Sequence, residues 1–205
     1  MTILMPLLLL AAAPSNTPVA AYERGDFQAW APLVESVKQA KADWLARLNP
    51  ELLKLFMEDQ ADRDGAPPPD VMARDAARRR AVEAILAAKG VRVADDYFHA
   101  AMVFQHGDSE ADYARANALA KQAVALSKNH ARARWLVAAS EDRLLMMQHK
   151  PQKYGTQYVR EGDKWVLYEV DPKVTDAQRA EWAVPTLDEA KARLAEMNAR
   201  PPPAQ

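Results

Sequence analysis

The stretch KPQKYGTQYVREGDKWVLYEV, residues Lys150 to Val170, decides the fold class of this chain. Beyond Pro151 apolar and polar residues alternate, and Glu161-Gly162-Asp163 supplies a turn, so the segment predicts a two-stranded antiparallel hairpin. A lone hairpin is marginal in water, so we expect it to pack against helices. The rest of the chain shows the apolar spacing of helices. The predicted fold is a mainly α, single helical domain of antiparallel helix pairs with one small hairpin at about residues 155–170.

Helix start and stop signals divide the remaining sequence. The predicted helices run at about residues 31–48, 51–62, 71–89, 96–106, 109–127, 130–149, 175–182 and 186–198. Side chains expected to cap them are those of Asp70, Asp95 or Asp96, Ser109, Thr175 and Thr186. The arginines of the third helix, Arg74, Arg78, Arg79 and Arg80, are predicted to form a solvated face.

Length and composition bound the possible functions. A chain of 205 residues suits one main domain. Lys and Arg number 27 against 28 Asp and Glu, and this balance favours neither nucleic acid nor an anionic membrane as a partner. The absence of cysteine excludes disulfides, thiolate catalysis and cysteine zinc sites.

The two ends of the chain differ from its middle. Residues 1–21 begin with a short apolar run and end in small residues, a pattern that predicts a signal peptide and hence a secreted or periplasmic protein. If this leader is not a signal, a cytoplasmic location is expected. No membrane span is predicted in the mature chain. The helical domain is assigned to residues 27–198, and residues 199–205 form a proline-rich tail.

One helix pair has the composition of a repeat. The segment ARANALAKQAVALSKNHARARWLVAA, residues 114–139, has small residues where two antiparallel helices would approach closely, and it resembles half of a tetratricopeptide repeat (TPR). Only one such unit is found. Because a stable array needs about three repeats, a full repeat protein is not predicted.

Three polar positions stand out against the helical pattern. Asp142 lies within an apolar stripe, so it needs a partner, whether in an ion pair between helices or in a functional site. His106 ends a helix, where a capping role and metal ligation with His99 and Asp95 are both open. Asp59 and Arg63 are four residues apart, the spacing of an ordinary surface pair.

Together these segments resemble a bacterial family of uncharacterised proteins, a domain of unknown function marked by the motifs DQxxR, QH, DR and QxYGTQ. The matching residues are Asp59-Gln60 with Arg63, Gln105-His106, Asp142-Arg143, and Gln152 with Tyr154-Gly155-Thr156-Gln157. The final VPTLDEAKARLAEMN also looks like the family's C-terminal segment, so the resemblance covers about residues 52–198. It implies a mainly helical domain with a short hairpin and carries over no catalytic residue.

The leading hypothesis is a polar pocket that binds a small molecule or a peptide. If the protein is an enzyme, His106 is the expected proton-transfer group and Asp142 orients it. The predicted ligand-binding residues are Asp59, Gln60, Arg63, Gln105, Arg143, Gln152, Tyr154, Thr156 and Gln157. No metal ligand is predicted, and the sequence identifies no cofactor.

Two alternatives remain open at this stage. The side chains of Gln152, Tyr154, Thr156 and Gln157 could instead cap the preceding helix and satisfy the backbone of the hairpin. The protein could also be a non-enzymatic, TPR-like interaction module that binds a protein partner through residues 112–147.

Overall fold

The computed structural model describes the backbone of residues 27–64 and 66–199, with side chains from residue 35 onward. This part of the chain forms eight helices and one two-stranded antiparallel sheet, which confirms the predicted fold class. The helices are α1 (Phe27–Arg47), α2 (Pro50–Ala61), α3 (Val71–Ala87), α4 (Ala94–Gln105), α5 (Glu110–Leu126), α6 (Ala131–Met147), α7 (Asp176–Glu181) and α8 (Leu187–Ala199). The strands are β1 (Tyr158–Glu161) and β2 (Lys164–Leu167).

The chain divides into two compact units, one ending at Arg47 and the other beginning at Leu48. The described part of the first unit is α1, and all other elements belong to the second. The predicted signal peptide at residues 1–21 lies outside the described residues, as does all but the first residue of the predicted tail. None of the helices described here combines the length and apolarity required to cross a bilayer.

The second unit is built around α4, which packs against α2, α3, α5 and α6. Its apolar spacing buries Phe98 and Val103, while α2 contributes Leu52 to the same core. Helix α2 begins sharply because the Asn49 side chain accepts a hydrogen bond from the Leu52 amide and Pro50 occupies the first turn.

Several expected caps are confirmed and others are wrong. Ser109 and Thr175 accept hydrogen bonds from the third residue of their helices, and Thr186 does the same at 3.2 Å from the Glu189 amide. Asp70 occupies the N-cap position of α3 but makes no capping bond with its side chain.

The N-cap residue of α4 is Val93, so neither Asp95 nor Asp96 caps this helix. The buried Asp96 side chain instead accepts bonds from the amides of Asn49 and Arg92. A carboxylate in the first turn of a helix lies close to backbone amides outside the helix, so it can accept their hydrogen bonds without capping the helix itself.

The predicted solvated arginine face is wrong at Arg78 and at Arg79. The Arg79 side chain is 13% exposed and pairs with acids at the start of α5. The Arg78 guanidinium is buried between α2 and α3, where it forms ion pairs with Asp62 and, at 2.7 Å, with Asp75. Arg74 also pairs with Asp62, but its side chain remains 44% exposed. A run of arginines does not show which one faces the neighbouring helix, because that depends on where acids of another segment lie.

The predicted helix pair forms between α5 and α6. Six alanines of this pair, Ala116, Ala120, Ala123, Ala133, Ala138 and Ala139, are fully buried. Small side chains allow the two backbones to approach closely. The C-terminal half of α6 thereby comes to lie beside the segment that leads into the hairpin.

The hairpin pairs Tyr158 with Leu167 and Glu161 with Lys164 through a two-residue loop at Gly162 and Asp163. Asn198 of α8 holds β2 through bonds in both directions with the Trp165 backbone, at 2.8 and 2.9 Å. The expected packing of the hairpin on a helix is therefore observed, and α8 is that helix.

Candidate functional site

The four sequence motifs meet in one hydrogen-bonded region of the second unit. DQxxR ends α2, QH ends α4, DR lies in the last turns of α6, and QxYGTQ forms the loop before β1. These elements bring residues from widely separated parts of the chain into contact. The contacts differ from one motif to the next, and they separate groups that support the fold from groups that can meet a ligand.

Asp59 and His106 form the pair that has the features of acid–base chemistry. Nδ1 of His106 lies 2.8 Å from Oδ2 of Asp59, which also accepts a 2.8 Å bond from Nε2 of Gln60. Asp59 is fully buried, whereas the His106 side chain is 19% exposed. His106 is the residue that ends α4, so its ring leaves the helix toward α2. Its Nε2 bonds to no described residue, which leaves that nitrogen available to a ligand.

The expectation that Asp142 orients His106 is wrong, because Asp59 holds the imidazole. The Asp142 carboxylate is instead used inside the loop, where it accepts bonds from the amides of Lys153, Tyr154 and Thr156 at 2.7 to 3.2 Å. It also accepts a 2.8 Å bond from the Thr156 hydroxyl. The hydrogen-bond partners of Asp142 are therefore donors of the loop, mainly backbone amides, and not a catalytic histidine.

The conformation of the loop explains why so many donors reach one carboxylate. Gly155 has a φ of 80°, a region that glycine enters without steric cost, and the chain turns there around Asp142. Burial raises the pKa of Asp142, and the hydrogen bonds from Tyr154, Thr156 and Lys153 act in the opposite direction. The arrangement is a structural cap that fixes the loop to α6.

The two glutamines of QxYGTQ also serve the backbone. The side chain of Gln152, fully buried, donates to the carbonyls of Gln157 and Tyr168 and accepts from the Gln157 amide at 2.8 Å. Gln157 is 5% exposed and donates to the Ala139 carbonyl at 3.2 Å. The prediction that both line an open pocket is wrong, because hydrogen-bonded burial removes them from solvent.

Tyr154 makes its hydrogen bonds with its backbone: its amide donates to Asp142 and its carbonyl accepts from Nε of Arg179 at 3.1 Å. Its half-buried phenol has its pKa raised by burial first and then by the negative charge of Glu141, with smaller effects from Lys153, Asp142 and Glu181. Among the described residues, no hydrogen bond joins Tyr154 to Arg63, His106 or Arg143. The predicted convergence of Tyr154 with these groups is therefore not observed as a contact.

A cavity of about 360 Å³ also opens beside this loop. Gly155 and Thr156 contribute to its wall, with Trp135, Tyr158 and residues of α8 completing it. His106, Arg63 and Arg143 do not line it. The loop therefore lines a cavity, but the three groups expected to bind with it do not share that lining.

Arg63 connects the Asp59–His106 pair to α3. Its Nη1 donates to the Asp59 carbonyl at 2.8 Å and lies 3.1 Å from Oδ1 of the same residue. Its Nη2 donates to Asp75 at 2.7 Å. Arg63 is 27% exposed, so the expected surface pair is a partly buried bridge between two helices. Asp75 was missed by the sequence reasoning, and the pattern of α3 gives no signal for it.

Arg143 is the predicted site residue with the most unusual surroundings. Its Nε donates to Oε1 of Gln157 at 3.0 Å, and its Nη1 donates to the Gln105 carbonyl at 2.7 Å. The Tyr113 ring lies 5.7 Å from the guanidinium carbon. Burial lowers the pKa of Arg143, Tyr113 acts in the opposite direction, and Arg63 lowers it further. Tyr113 was not identified from the sequence.

Gln105 links α4 to α6 through hydrogen bonds of its side chain and its backbone. Its Nε2 donates to the Ala139 carbonyl at 3.3 Å, the same oxygen that Gln157 uses. Its carbonyl accepts from Arg143, and its peptide bond leads directly into His106. Oε1 of this buried side chain has no hydrogen-bond partner among the residues described. Gln105 thus belongs mainly to the interior, and its backbone carbonyl, in the peptide bond that leads into His106, holds Arg143.

The metal alternative finds no support in the described part of the chain, where no group of three or more potential ligands is placed to hold an ion. His99 is buried and stacks on Phe56 with ring centroids 4.4 Å apart, separate from the His106 contact with Asp59.

Comparison with known proteins gives no match to a family model, to a curated protein or to a solved structure.

Proposed function

We propose that this protein binds a small molecule or a peptide at a site formed by Arg63, His106 and Arg143. The observation that carries the proposal is the Asp59–His106 hydrogen bond of 2.8 Å. Arg63 pairs with the same Asp59, and Arg143 bonds to the carbonyl of the residue that precedes His106. A buried carboxylate that fixes one imidazole nitrogen leaves the other presented to a bound molecule. The site is therefore equipped for proton transfer as well as for binding.

The proposal assigns different roles to the motif residues. His106 meets the ligand and moves protons if the ligand is turned over, while Asp59 and Gln60 hold the imidazole in place. Asp142, Gln152, Thr156 and Gln157 maintain the loop that supports Arg143. We further propose that the chain is exported, and that it belongs to the bacterial family it resembles through the four motifs.

The test is enrichment of a ligand by equilibrium dialysis of the pure protein against an extract of metabolites and peptides, read by mass spectrometry. Wild type should concentrate at least one compound, and His106→Asn should lose it while keeping its melting temperature. His149→Asn is the matched control, because His149 is exposed and has a φ of 55° that asparagine tolerates. No enriched compound, or equal enrichment by folded His106→Asn, would overturn the proposal.

A second function, protein interaction through the TPR-like pair, is favoured by a different observation. Asp142, Gln152 and Gln157 are buried and paired, as expected if these motif residues only maintain a scaffold. In that case a protein partner binds residues 112–147, and both histidine variants should capture it equally well. Loss of capture in His106→Asn alone would contradict the interaction function.

A further inference from the structure

Among the described residues, the partners of the Arg143 cation are all neutral. Its two hydrogen-bond acceptors are the side-chain amide of Gln157 and the backbone carbonyl of Gln105, and an aromatic ring completes its surroundings. No carboxylate of the described residues lies within ion-pair distance of it. Removing a guanidinium from water without a counter-charge is unfavourable, which makes such a group a natural site for an anion.

The neighbouring arginines, by contrast, are compensated. Three carboxylates and three guanidinium groups form a continuous chain of ion pairs between α2 and α3. Its members are Asp59, Asp62, Asp75, Arg63, Arg74 and Arg78. No acid of this network lies within ion-pair distance of Arg143. The positive charge of Arg63, itself a paired member of the network, lowers the pKa of Arg143 after burial does.

The guanidinium is also held in a fixed orientation. Nε and Nη1 are each engaged by one acceptor, so the plane of the group cannot rotate freely. Nη2 bonds to no described residue and is not among the polar atoms sealed from solvent. A positioned guanidinium donates charge-assisted hydrogen bonds to carboxylate and phosphate oxygens, and prior orientation reduces the entropy lost on binding.

We propose that the ligand carries an oxyanion, a carboxylate or a phosphate, which binds Nη2 of Arg143 beside His106. The inference rests on the proposed function, since it names the chemical class of the molecule bound at the same site. The Gln105 carbonyl that fixes Nη1 belongs to the peptide bond that leads into His106. An oxyanion at Nη2 is thereby brought next to the residue proposed to transfer protons.

The probes are inorganic phosphate and acetate, titrated at constant ionic strength with chloride as the replaced anion. Binding is followed by the side-chain NMR resonances of Arg143 and by the melting temperature. Wild type should show saturable changes with at least one probe, and the probe that saturates distinguishes phosphate from carboxylate ligands. Arg143→Gln should bind at least about tenfold more weakly, since a hydrogen bond to a charged group is lost.

Arg160→Gln is the matched control, because Arg160 is exposed on β1 and also lacks a carboxylate within ion-pair distance among the described residues. It should bind as wild type does. If Arg143→Gln does not fold, Arg143→Lys replaces it as the test. Lysine keeps the positive charge but lacks the planar set of guanidinium N–H donors, so this variant should still bind the anion more weakly than wild type. Unsaturable shifts in wild type, or equal binding by folded Arg143 variants, would overturn the inference. His106-dependent enrichment of a neutral compound would then leave the proposed function standing.

Discussion

Nδ1 of His106 lies 2.8 Å from Oδ2 of Asp59, although 47 positions separate the two residues in the chain. An ionised carboxylate only accepts hydrogen bonds, so the proton of this bond belongs to Nδ1. The other ring nitrogen of a neutral His106 is then a free acceptor. This relationship defines which nitrogen faces a ligand and which direction a proton would travel.

The first prediction is that neutral His106 carries its hydrogen on Nδ1. His130 provides the opposite case in the same molecule, because its Nδ1 accepts from the Ala133 amide at 3.1 Å. Its Nε2 lies 3.2 Å from Oδ1 of Asp95 and must donate. Long-range ¹H–¹⁵N spectra of the imidazoles should therefore show two different tautomers. The same tautomer at both histidines would contradict the Asp59 contact or the His130 cap.

The second prediction concerns stability in acid. Burial lowers the pKa of His99 to about 4, with Asp95 and Asp96 opposing this effect and Arg132 and His130 adding to it. Between about pH 6.5 and 4 the unfolded chain binds more protons than the folded one, so this residue's contribution to the free energy of unfolding falls as the pH falls. The full loss is roughly 3 kcal/mol.

His99→Phe should remove this dependence while keeping a ring against Phe56. Urea unfolding at a series of pH values measures the difference in stability between wild type and the variant. We expect wild type to lose stability relative to His99→Phe on acidification below about pH 6.5. A difference that stays constant between pH 7 and 4 would show that His99 titrates normally in the folded protein.

The helices and the hairpin could be predicted from the sequence because the spacing of apolar residues, the helix caps and the turn residues each depend only on residues close together in the chain. Asp142 could also be predicted as a buried group that needs partners, since it interrupts an apolar stripe. Its actual partners could not, because the direction of the loop depends on the turn at Gly155 and on burial of Gln152. The Asp59–His106 contact depends on how α2 packs on α4, and no local pattern encodes that packing.

The third prediction distinguishes two arginines of α3 that the sequence treats alike. Arg78→Met leaves the buried carboxylates of Asp62 and Asp75 without their shared partner, and we expect a loss of about 3–5 kcal/mol in the free energy of unfolding. Arg74→Met removes a pair whose arginine is 44% exposed, and should cost less than about 1 kcal/mol. Equal effects in chemical denaturation would contradict the burial of Arg78.

The fourth prediction separates the two adjacent acids of α6. Asp142→Asn replaces one acceptor oxygen by a donor that faces the amides of Tyr154 and Thr156, so we expect a loss of about 3 kcal/mol. Hydrogen exchange at those amides should accelerate as well. Glu141→Gln is the control, because Glu141 meets Lys153 in a pair that is 31% and 45% exposed, and its loss should cost under about 1 kcal/mol.

The comparison tests whether the loop is held by a carboxylate or merely by its own turn. If the turn sufficed, Asp142→Asn would resemble Glu141→Gln in both stability and amide exchange. If the carboxylate is required, the loop loosens and the Gln157 contact with Arg143 weakens with it, since Gln157 also bonds to Thr156. Asp142→Asn should then reduce anion binding at Arg143 without any contact of its own to the anion.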